Sequence, residues 1–171
     1  MAKISINIAT GSLQQQEMIV GIDLGTTNSL VAVIHPDSKK PSVLKEFDGV
    51  ALVPSVIHFG EGGIVSVGDM AKTKLIEEPQ NTIFSVKRLM GKSHNDVKQY
   101  TGFYTYKVID DNTDSLVKVQ VGDKFYSPIE LSSYILKELK KRAEHILNER
   151  MMLSRKIRVR ASGAYRVRTQ A

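Results

Sequence analysis

A short polar turn between two apolar runs is the part of this sequence best suited to chemistry. An apolar run leads to Asp23, Gly-Thr-Thr-Asn follows at residues 25–28, and an apolar run resumes at Ser29. A tight turn leaves backbone N–H groups unpaired, and these groups could donate to anionic oxygens together with the hydroxyls of Thr26 and Thr27. Asp23 could bind Mg²⁺ directly or through water, because Mg²⁺ prefers oxygen ligands. The segment therefore indicates a protein that handles nucleotides.

The same turn has a plainer interpretation, since turn-forming residues also make ordinary hairpins without any ligand. The sequence has no Gly-x-x-x-x-Gly-Lys-Ser/Thr motif, so the turn is not a P-loop. The dinucleotide-binding pattern Gly-x-Gly-x-x-Gly is absent as well. The residues alone leave the phosphate-binding turn and the ordinary hairpin both open.

Lys87 is a second candidate, because it lies in the mainly apolar segment 83–91. A lysine in such a segment could turn toward a phosphate as a point charge, although a solvated lysine is the simpler interpretation. The histidines have no metal-ligand spacing, which favours structural or surface roles for all of them. They stand at positions 35, 58, 94 and 145.

Strands and turns fill the first part of the chain. The apolar and β-branched runs predict a three-stranded meander over residues 18–22, 29–35 and 42–47. A hairpin follows, with residues 52–59 and 64–67 as its strands and Glu-Gly-Gly at 61–63 as its loop. Asp69 is predicted as the N-cap of a helix over residues 70–77. A short helix over residues 81–90 and a helical turn over 95–100 are predicted next, then extended runs over 103–109, 116–121 and 124–126.

The longest helix is predicted from its capping residues and its periodicity. Ser127 at the cap, Pro128 at the first position and Glu130 three residues after the serine form a capping box. Apolar side chains recur at helical spacing over residues 128–147, so one face should be buried. These are Leu131, Ile135, Leu139, Ala143 and Ile146. Mixed strands and helices in this order predict an α/β fold with a mixed sheet.

Composition limits the class of protein. A chain of 171 residues that is 42% apolar is long enough for one domain with a packed core. Cysteine is absent, which excludes disulfides and thiolate metal sites and fits a reducing compartment. No apolar run reaches the length of a membrane span, and the N-terminus lacks a secretion signal. We therefore expect a cytoplasmic protein.

The basic charge is concentrated at one end. Residues 148–171 hold seven basic side chains and one acid, which leaves 24 − 7 = 17 basic and 18 − 1 = 17 acidic residues in 1–147. The body is neutral, so the net charge of +6 is no argument for nucleic-acid binding by the whole chain. We predict an N-terminal arm over residues 1–17, a domain over 18–147, and a basic tail over 148–171.

Four phrases in order resemble one family, the seventy-kilodalton heat-shock chaperones of the DnaK type. Residues 21–29 resemble the first phosphate motif of that family, and residues 53–57 its Thr-Pro-Ser segment. Residues 67–72 resemble its Val-Gly-x-x-Ala phrase, and residues 81–91 the segment that carries its essential lysine. The resemblance covers residues 18–147, which correspond to the first part of the family's ATPase domain.

The resemblance implies an actin-like, ribonuclease-H-like ATPase lobe that binds ATP and Mg²⁺. Thr26 would contact the γ-phosphate and the attacking water, while Gly25, Thr27 and Asn28 would bind phosphates mainly through the backbone. Asp23 would face the metal and its waters. Lys87 would position the γ-phosphate and stabilise charge as it develops, and Arg88 would face the cleft. A J-domain co-chaperone, a nucleotide exchange factor and unfolded client proteins would be the partners.

Much of the family's machinery is not found in these 171 residues. The second phosphate loop, the segment near the catalytic glutamate, the adenosine-binding motif and the peptide-binding domain are all missing. We therefore expect an incomplete lobe with weak or no ATP turnover. The family pattern stops near Asn148, and a reading-frame shift is one hypothesis for the unrelated tail. The arm over residues 1–13 and the segment 109–111 point within the family to the HscA-like branch, which helps mature iron–sulfur proteins.

Three other functions remain open at this level. A sugar kinase or an actin-like filament ATPase shares this type of hairpin, although the Lys87 segment favours the chaperone. A nucleic-acid-binding module could use the basic tail, and its binding would then depend steeply on salt. A truncated product without independent function is the last alternative.

Overall fold

The structure is a computed structural model that describes residues 19–34, 39–46, 49–109 and 116–147, together with three further strands in backbone outline. The chain divides into two compact units. The first comprises Met1–Asp23, Val31–Ala51 and Ala143–Ala171, and the second Leu24–Leu30 and Leu52–Arg142.

Strands β1 to β13 are Ile4–Asn7, Ser12–Gln15, Ile19–Asp23, Asn28–Ile34, Pro41–Val43, Val53–Pro54, Val56–Phe59, Val65–Val67, Thr82–Phe84, Lys107–Ile109, Lys118–Val121, Lys124–Tyr126 and Ala164–Val167. Helices α1 to α3 are Asp69–Glu77, His94–Val97 and Pro128–Leu147. Short 3-10 helices lie at Glu61–Gly63, Pro79–Asn81, Val86–Leu89 and Lys98–Phe103.

In the first unit the chain forms antiparallel sheets. Strand β1 pairs with β2, and a second sheet has the order β13-β3-β4-β5. The predicted meander is confirmed, because β3, β4 and β5 are neighbours in sequence order. The strands alternate as a half-buried sheet should, with Val20, Ile22, Val31 and Val33 buried.

The second unit contains a sheet with the strand order β8-β7-β9. Ile57 of β7 is opposite Ile83 of β9, and both are fully buried. Such cross-strand apolar pairs are what stabilise a sheet. The predicted hairpin is confirmed too, because β7 and β8 pair across the Glu61–Gly63 turn.

The predicted helix over residues 81–90 is wrong. Thr82–Phe84 is strand β9, and only Val86–Leu89 is helical, as a 3-10 turn. Helical spacing alone could not foresee this, because β9 is fixed by pairing with β7, which lies more than twenty residues earlier. The predicted extended run over 103–109 is also shorter than expected, because only Lys107–Ile109 is a strand and Phe103 ends the 3-10 helix Lys98–Phe103.

The longest helix is confirmed at the predicted bounds, Pro128–Leu147. Its capping box is formed: the Glu130 carboxylate accepts hydrogen bonds from the Ser127 N–H and hydroxyl at 2.7 and 2.8 Å. These two bonds lower the pKa of Glu130. Asp69 is not the N-cap of α1, because the helix begins at Asp69 itself and its cap is Gly68 with φ +83°.

Predictions for the two ends of the chain lie largely outside the described residues. This applies to the arm over 1–17 and the basic tail over 148–171, apart from the strand outlines given above. Among the described helices, none combines the length and the apolar character that crossing a bilayer would require.

Candidate phosphate-binding site

The polar turn joins β3 to β4, and residues 24–30 belong to the second unit. Thr27 and Asn28 are exposed, while Gly25 and Thr26 are partly buried. The turn is therefore accessible to solvent at Thr27 and Asn28, as a binding turn must be.

Gly25 is required by the tightness of this turn. A Cβ atom at this position would collide with the backbone carbonyl oxygen of Asn28. That carbonyl belongs to the backbone and cannot move aside cheaply, so a side chain at Gly25 would force the turn open. The sequence identified Gly25 as a phosphate-binding residue; the structure gives it a steric role in shaping the turn.

Two buried serines hold the turn from behind. The Gly25 N–H donates to Ser29 Oγ at 3.2 Å, and the Ser55 hydroxyl donates to the Gly25 carbonyl at 2.9 Å. The two serine oxygens are 2.8 Å apart, and the Ser55 N–H donates to the Thr27 carbonyl at 2.8 Å. The Gly25 N–H, predicted to donate to an anion, is therefore already used as a donor within the protein.

Sequence reasoning assigned no role to Ser29 or Ser55. One signal was available for Ser29, because it occupies an inward position in the alternating pattern of β4 and is buried. Ser55 is also buried, between the short strands β6 and β7. Buried hydroxyls are normally hydrogen-bonded, but their partner could not be read from one strand alone.

The donors of Thr26 and Thr27 are the ones left for a ligand. Within the part of the chain that the structure describes, the backbone N–H and the hydroxyl of each threonine make no hydrogen bond. Successive free N–H groups in a tight turn, flanked by hydroxyls, form an anion-binding concavity. The residues present therefore fit a phosphate group.

Lys87 lies on the 3-10 helix Val86–Leu89 in the same unit. Val86 and Leu89 are buried, and because residues three apart eclipse in a 3-10 helix they form its inner face. Lys87 and Arg88 are exposed between them. The predicted apolar helix around Lys87 is thus a single short turn, but it does present the lysine to solvent.

The backbone brings the Lys87 segment to the end of the sheet where Ser55 lies. Val56 of β7 is opposite Phe84 of β9. Ser55, which precedes β7, and Ser85, which follows β9, therefore lie at the same end of this antiparallel pair. Ser85 has φ +56° in the left-handed region, an uncommon conformation for a residue with a side chain. It turns the chain from β9 into the Lys87 helix.

A tyrosine fixes the residue before that turn. The Tyr106 hydroxyl donates to the Phe84 carbonyl at 2.6 Å, and burial raises the pKa of Tyr106 far above its ordinary value. Tyr104 packs beside it, with ring centroids 5.1 Å apart. Phe103 and Phe125, by contrast, are exposed.

Asp23 is the last residue of β3, in the first unit, and is exposed. Among the described residues, no three histidine, cysteine, aspartate or glutamate side chains are grouped to hold a metal ion. A single exposed carboxylate still fits Mg²⁺ in one respect, because this ion is often held by one or two carboxylates together with substrate phosphates.

Comparison with protein families identifies the family of this chain. The model of the Hsp70 protein family matches residues 19–155, which is most of the chain. The chain belongs to the Hsp70 family. The matched region begins with β3 and includes the turn, Ser29, Ser55 and Lys87. The predicted α/β fold is confirmed, and the ATPase domain of Hsp70 proteins is actin-like. Chaperone and heat-shock family membership follow from the same match.

Proposed function

We propose that this Hsp70-family chain binds the phosphate groups of Mg-ATP at the turn over residues 25–28. The observation that carries the proposal is the turn itself: Gly25 is locked by Ser29 and Ser55, while the N–H groups and hydroxyls of Thr26 and Thr27 have no partner in the described structure. Hsp70 proteins in general bind ATP with Mg²⁺, which supports this choice of ligand.

In this proposal Thr26 and Thr27 donate hydrogen bonds to phosphate oxygens, and the backbone of Asn28 completes the turn. Lys87 supplies a mobile positive charge next to the phosphates, which its exposure allows. Asp23 contacts the Mg²⁺ ion or its waters. The bound Mg²⁺ would neutralise phosphate charge, while the chain's own residues orient the triphosphate.

The catalytic part of the proposal is assigned to Lys87 and Thr26, which would stabilise the γ-phosphate and orient the attacking water. A sugar kinase or filament ATPase is not favoured, since the family match is to Hsp70.

The cellular role is proposed from family membership. ATP binding would drive folding of client proteins together with a J-domain co-chaperone and a nucleotide exchange factor. The finer assignment to the HscA-like branch, and so to iron–sulfur protein maturation, stays a proposal, as does the cytoplasmic location. Comparing the binding of this chain to J-domain proteins of iron–sulfur assembly and of general folding would test the branch, and cell fractionation the location.

Isothermal calorimetry of the full chain with Mg-ATP and with Mg-AMP tests the central proposal. Binding of Mg-ATP with much weaker binding of Mg-AMP is expected, because the turn recognises the terminal phosphates. Equal affinity for the two nucleotides, or heat of binding from neither, would reject the phosphate-binding turn.

A further inference from the structure

The hydrogen bonds behind the turn form a closed circuit with a defined direction. A serine hydroxyl has one hydrogen to donate, and that of Ser55 goes to the Gly25 carbonyl. In the contact between the two serines, Ser29 must therefore be the donor and Ser55 the acceptor. The circuit runs from the Gly25 N–H to Ser29, from Ser29 to Ser55, and from Ser55 back to the Gly25 carbonyl.

The backbone N–H and the carbonyl of Gly25 are thus both hydrogen-bonded to buried serine side chains. Ser29 is 1% exposed and Ser55 2% exposed. Loss of either hydroxyl leaves a polar group of the circuit without its partner, and in a buried place water does not replace it easily. The circuit fixes the peptide groups on both sides of Gly25, which are the groups that lead into Thr26.

Ser55 fixes the far side of the turn as well. Its N–H donates to the Thr27 carbonyl, so Gly25 and Thr27 are both tied to one residue. The two residues whose N–H groups remain available, Thr26 and Thr27, lie within the segment that these bonds hold. Ser55 also comes directly before β7, at the end of the β7–β9 pair where Ser85 follows β9. From Ser85 the chain continues to Lys87.

We propose that Ser29 and Ser55 are positioning residues for the triphosphate, acting as one unit that holds the turn ready for binding. The proposal deepens the function proposed above and rests on it. Neither serine touches the phosphate; they orient Thr26 and Thr27 and keep the Gly25 N–H away from the ligand. Preorganised donors need not reorganise when the anion arrives, and this is the source of their advantage.

The test uses the full chain and the probe Mg-tripolyphosphate, which presents phosphates without a nucleoside. Dissociation constants are measured by ligand-observed ³¹P NMR for the native chain, Ser29→Ala, Ser55→Ala and the double variant, at a temperature where each is folded. Ser132→Ala is the matched control, because Ser132 is also buried, at 4% exposed, and donates to the Pro128 carbonyl, but lies on α3.

Each single variant is expected to bind about tenfold more weakly than the native chain. The double variant should bind no more weakly than either single one, because one missing member already breaks the circuit. Ser132→Ala should bind as the native chain does, even if its melting temperature falls. Native-like binding by both single variants would overturn the proposal, and so would additive losses of about a hundredfold in the double variant.

A second measurement remains decisive if an alanine variant fails to fold. In the native chain the Gly25 amide hydrogen should exchange slowly before ligand is added, and its ¹⁵N shift should change less than those of Thr26 and Thr27 on addition of Mg-tripolyphosphate. A Gly25 amide that exchanges freely and shifts most would overturn the circuit while leaving phosphate binding intact. Absence of any binding by the native chain would reject the proposed function and this inference together.

Discussion

The turn over residues 25–28 and the Lys87 segment are two parts of one proposed site, and they are built in opposite ways. The turn is specified by atoms that cannot move: a glycine without room for a side chain, and two buried hydroxyls. The Lys87 segment is specified by its backbone, through buried Val86 and Leu89, while Lys87 itself is exposed.

The difference shows how a phosphate site can divide its work. Short hydrogen bonds lose strength steeply when misaligned, so donors on a turn profit from being fixed in advance. A lysine charge acts over a longer distance and without a preferred direction, so it can be carried by a flexible side chain. Changes in the turn should therefore alter shape and binding together, whereas a change at Lys87 should alter binding alone.

The largest effect is expected from removing the anchor of the Lys87 segment. Leu89→Ala deletes a fully buried side chain and should lower the free energy of unfolding by about 2–5 kcal/mol. Ile76→Ala is the control, because Ile76 is 91% exposed and should cost less than about 0.5 kcal/mol. Urea denaturation measures both. Equal, small losses would mean that burial of Leu89 does not hold the segment.

Gly25→Ala breaks the turn itself. The new Cβ meets the Asn28 carbonyl, and we expect a loss of about 1–3 kcal/mol of unfolding free energy together with loss of Mg-ATP binding. Gly21→Ala is the matched control, since a Cβ there comes no closer than 3.9 Å to the nearest of its neighbours, the Ala32 carbonyl. Denaturation and calorimetry give both quantities. Native affinity in Gly25→Ala would show that the tight turn is unnecessary.

Lys87→Ala separates charge from shape. Removing an exposed side chain should change stability by less than about 0.5 kcal/mol, but should weaken Mg-ATP binding about tenfold, which is about 1.4 kcal/mol. Lys92→Ala removes another exposed lysine and should leave affinity unchanged. An equal effect of the two variants in calorimetry would point to general electrostatic attraction instead of a specific contact.

Lowering the pH should destabilise the sheet that carries the Lys87 segment more than it destabilises the turn. This is the smallest of the four effects expected here. The Glu78 carboxylate lies 3.0 Å from His58 Nε2 on β7, and that hydrogen bond, with help from Lys74, lowers the pKa of Glu78 below its ordinary 4.5. A lowered pKa in the folded state contributes stability above pH 4.5, and this contribution is lost as the pH falls through the folded pKa.

Denaturation of the native chain and of Glu78→Gln between about pH 7 and pH 3 checks this expectation. The native chain should lose stability more steeply than the variant below pH 4.5. The circuit behind the turn consists of neutral hydroxyl and backbone groups, so Gly25 amide exchange should follow the same pH profile in both proteins. Parallel stability curves for the two proteins would contradict the role given to Glu78.

Local signals in the sequence predicted the parts of the fold that are local. The helix Pro128–Leu147 was predicted at its bounds because its capping box and apolar spacing lie within the helix. The segment 81–90 was mispredicted because its strand depends on pairing with β7. The hydrophobic spacing within the segment itself does not reveal its pairing with β7.

The residues of the candidate site likewise differ in whether local sequence signals identify them. Turn residues such as Gly25, Thr26 and Thr27 were recognisable because their types and spacing describe a tight polar turn. Ser29 and Ser55 were not, because their roles come from a contact between residues 26 positions apart. Lys87 was identified through resemblance to a family, and residue chemistry alone left it as an ordinary surface lysine.

The most direct measurement is a ¹H–¹⁵N NMR titration of the full chain with Mg-ATP, followed at individual backbone amides. Saturable shifts are expected that are largest at Thr26 and Thr27, with smaller changes at Gly25. Shifts concentrated elsewhere in the chain, with Thr26 and Thr27 unmoved at saturation, would contradict the claim that this turn binds the phosphates.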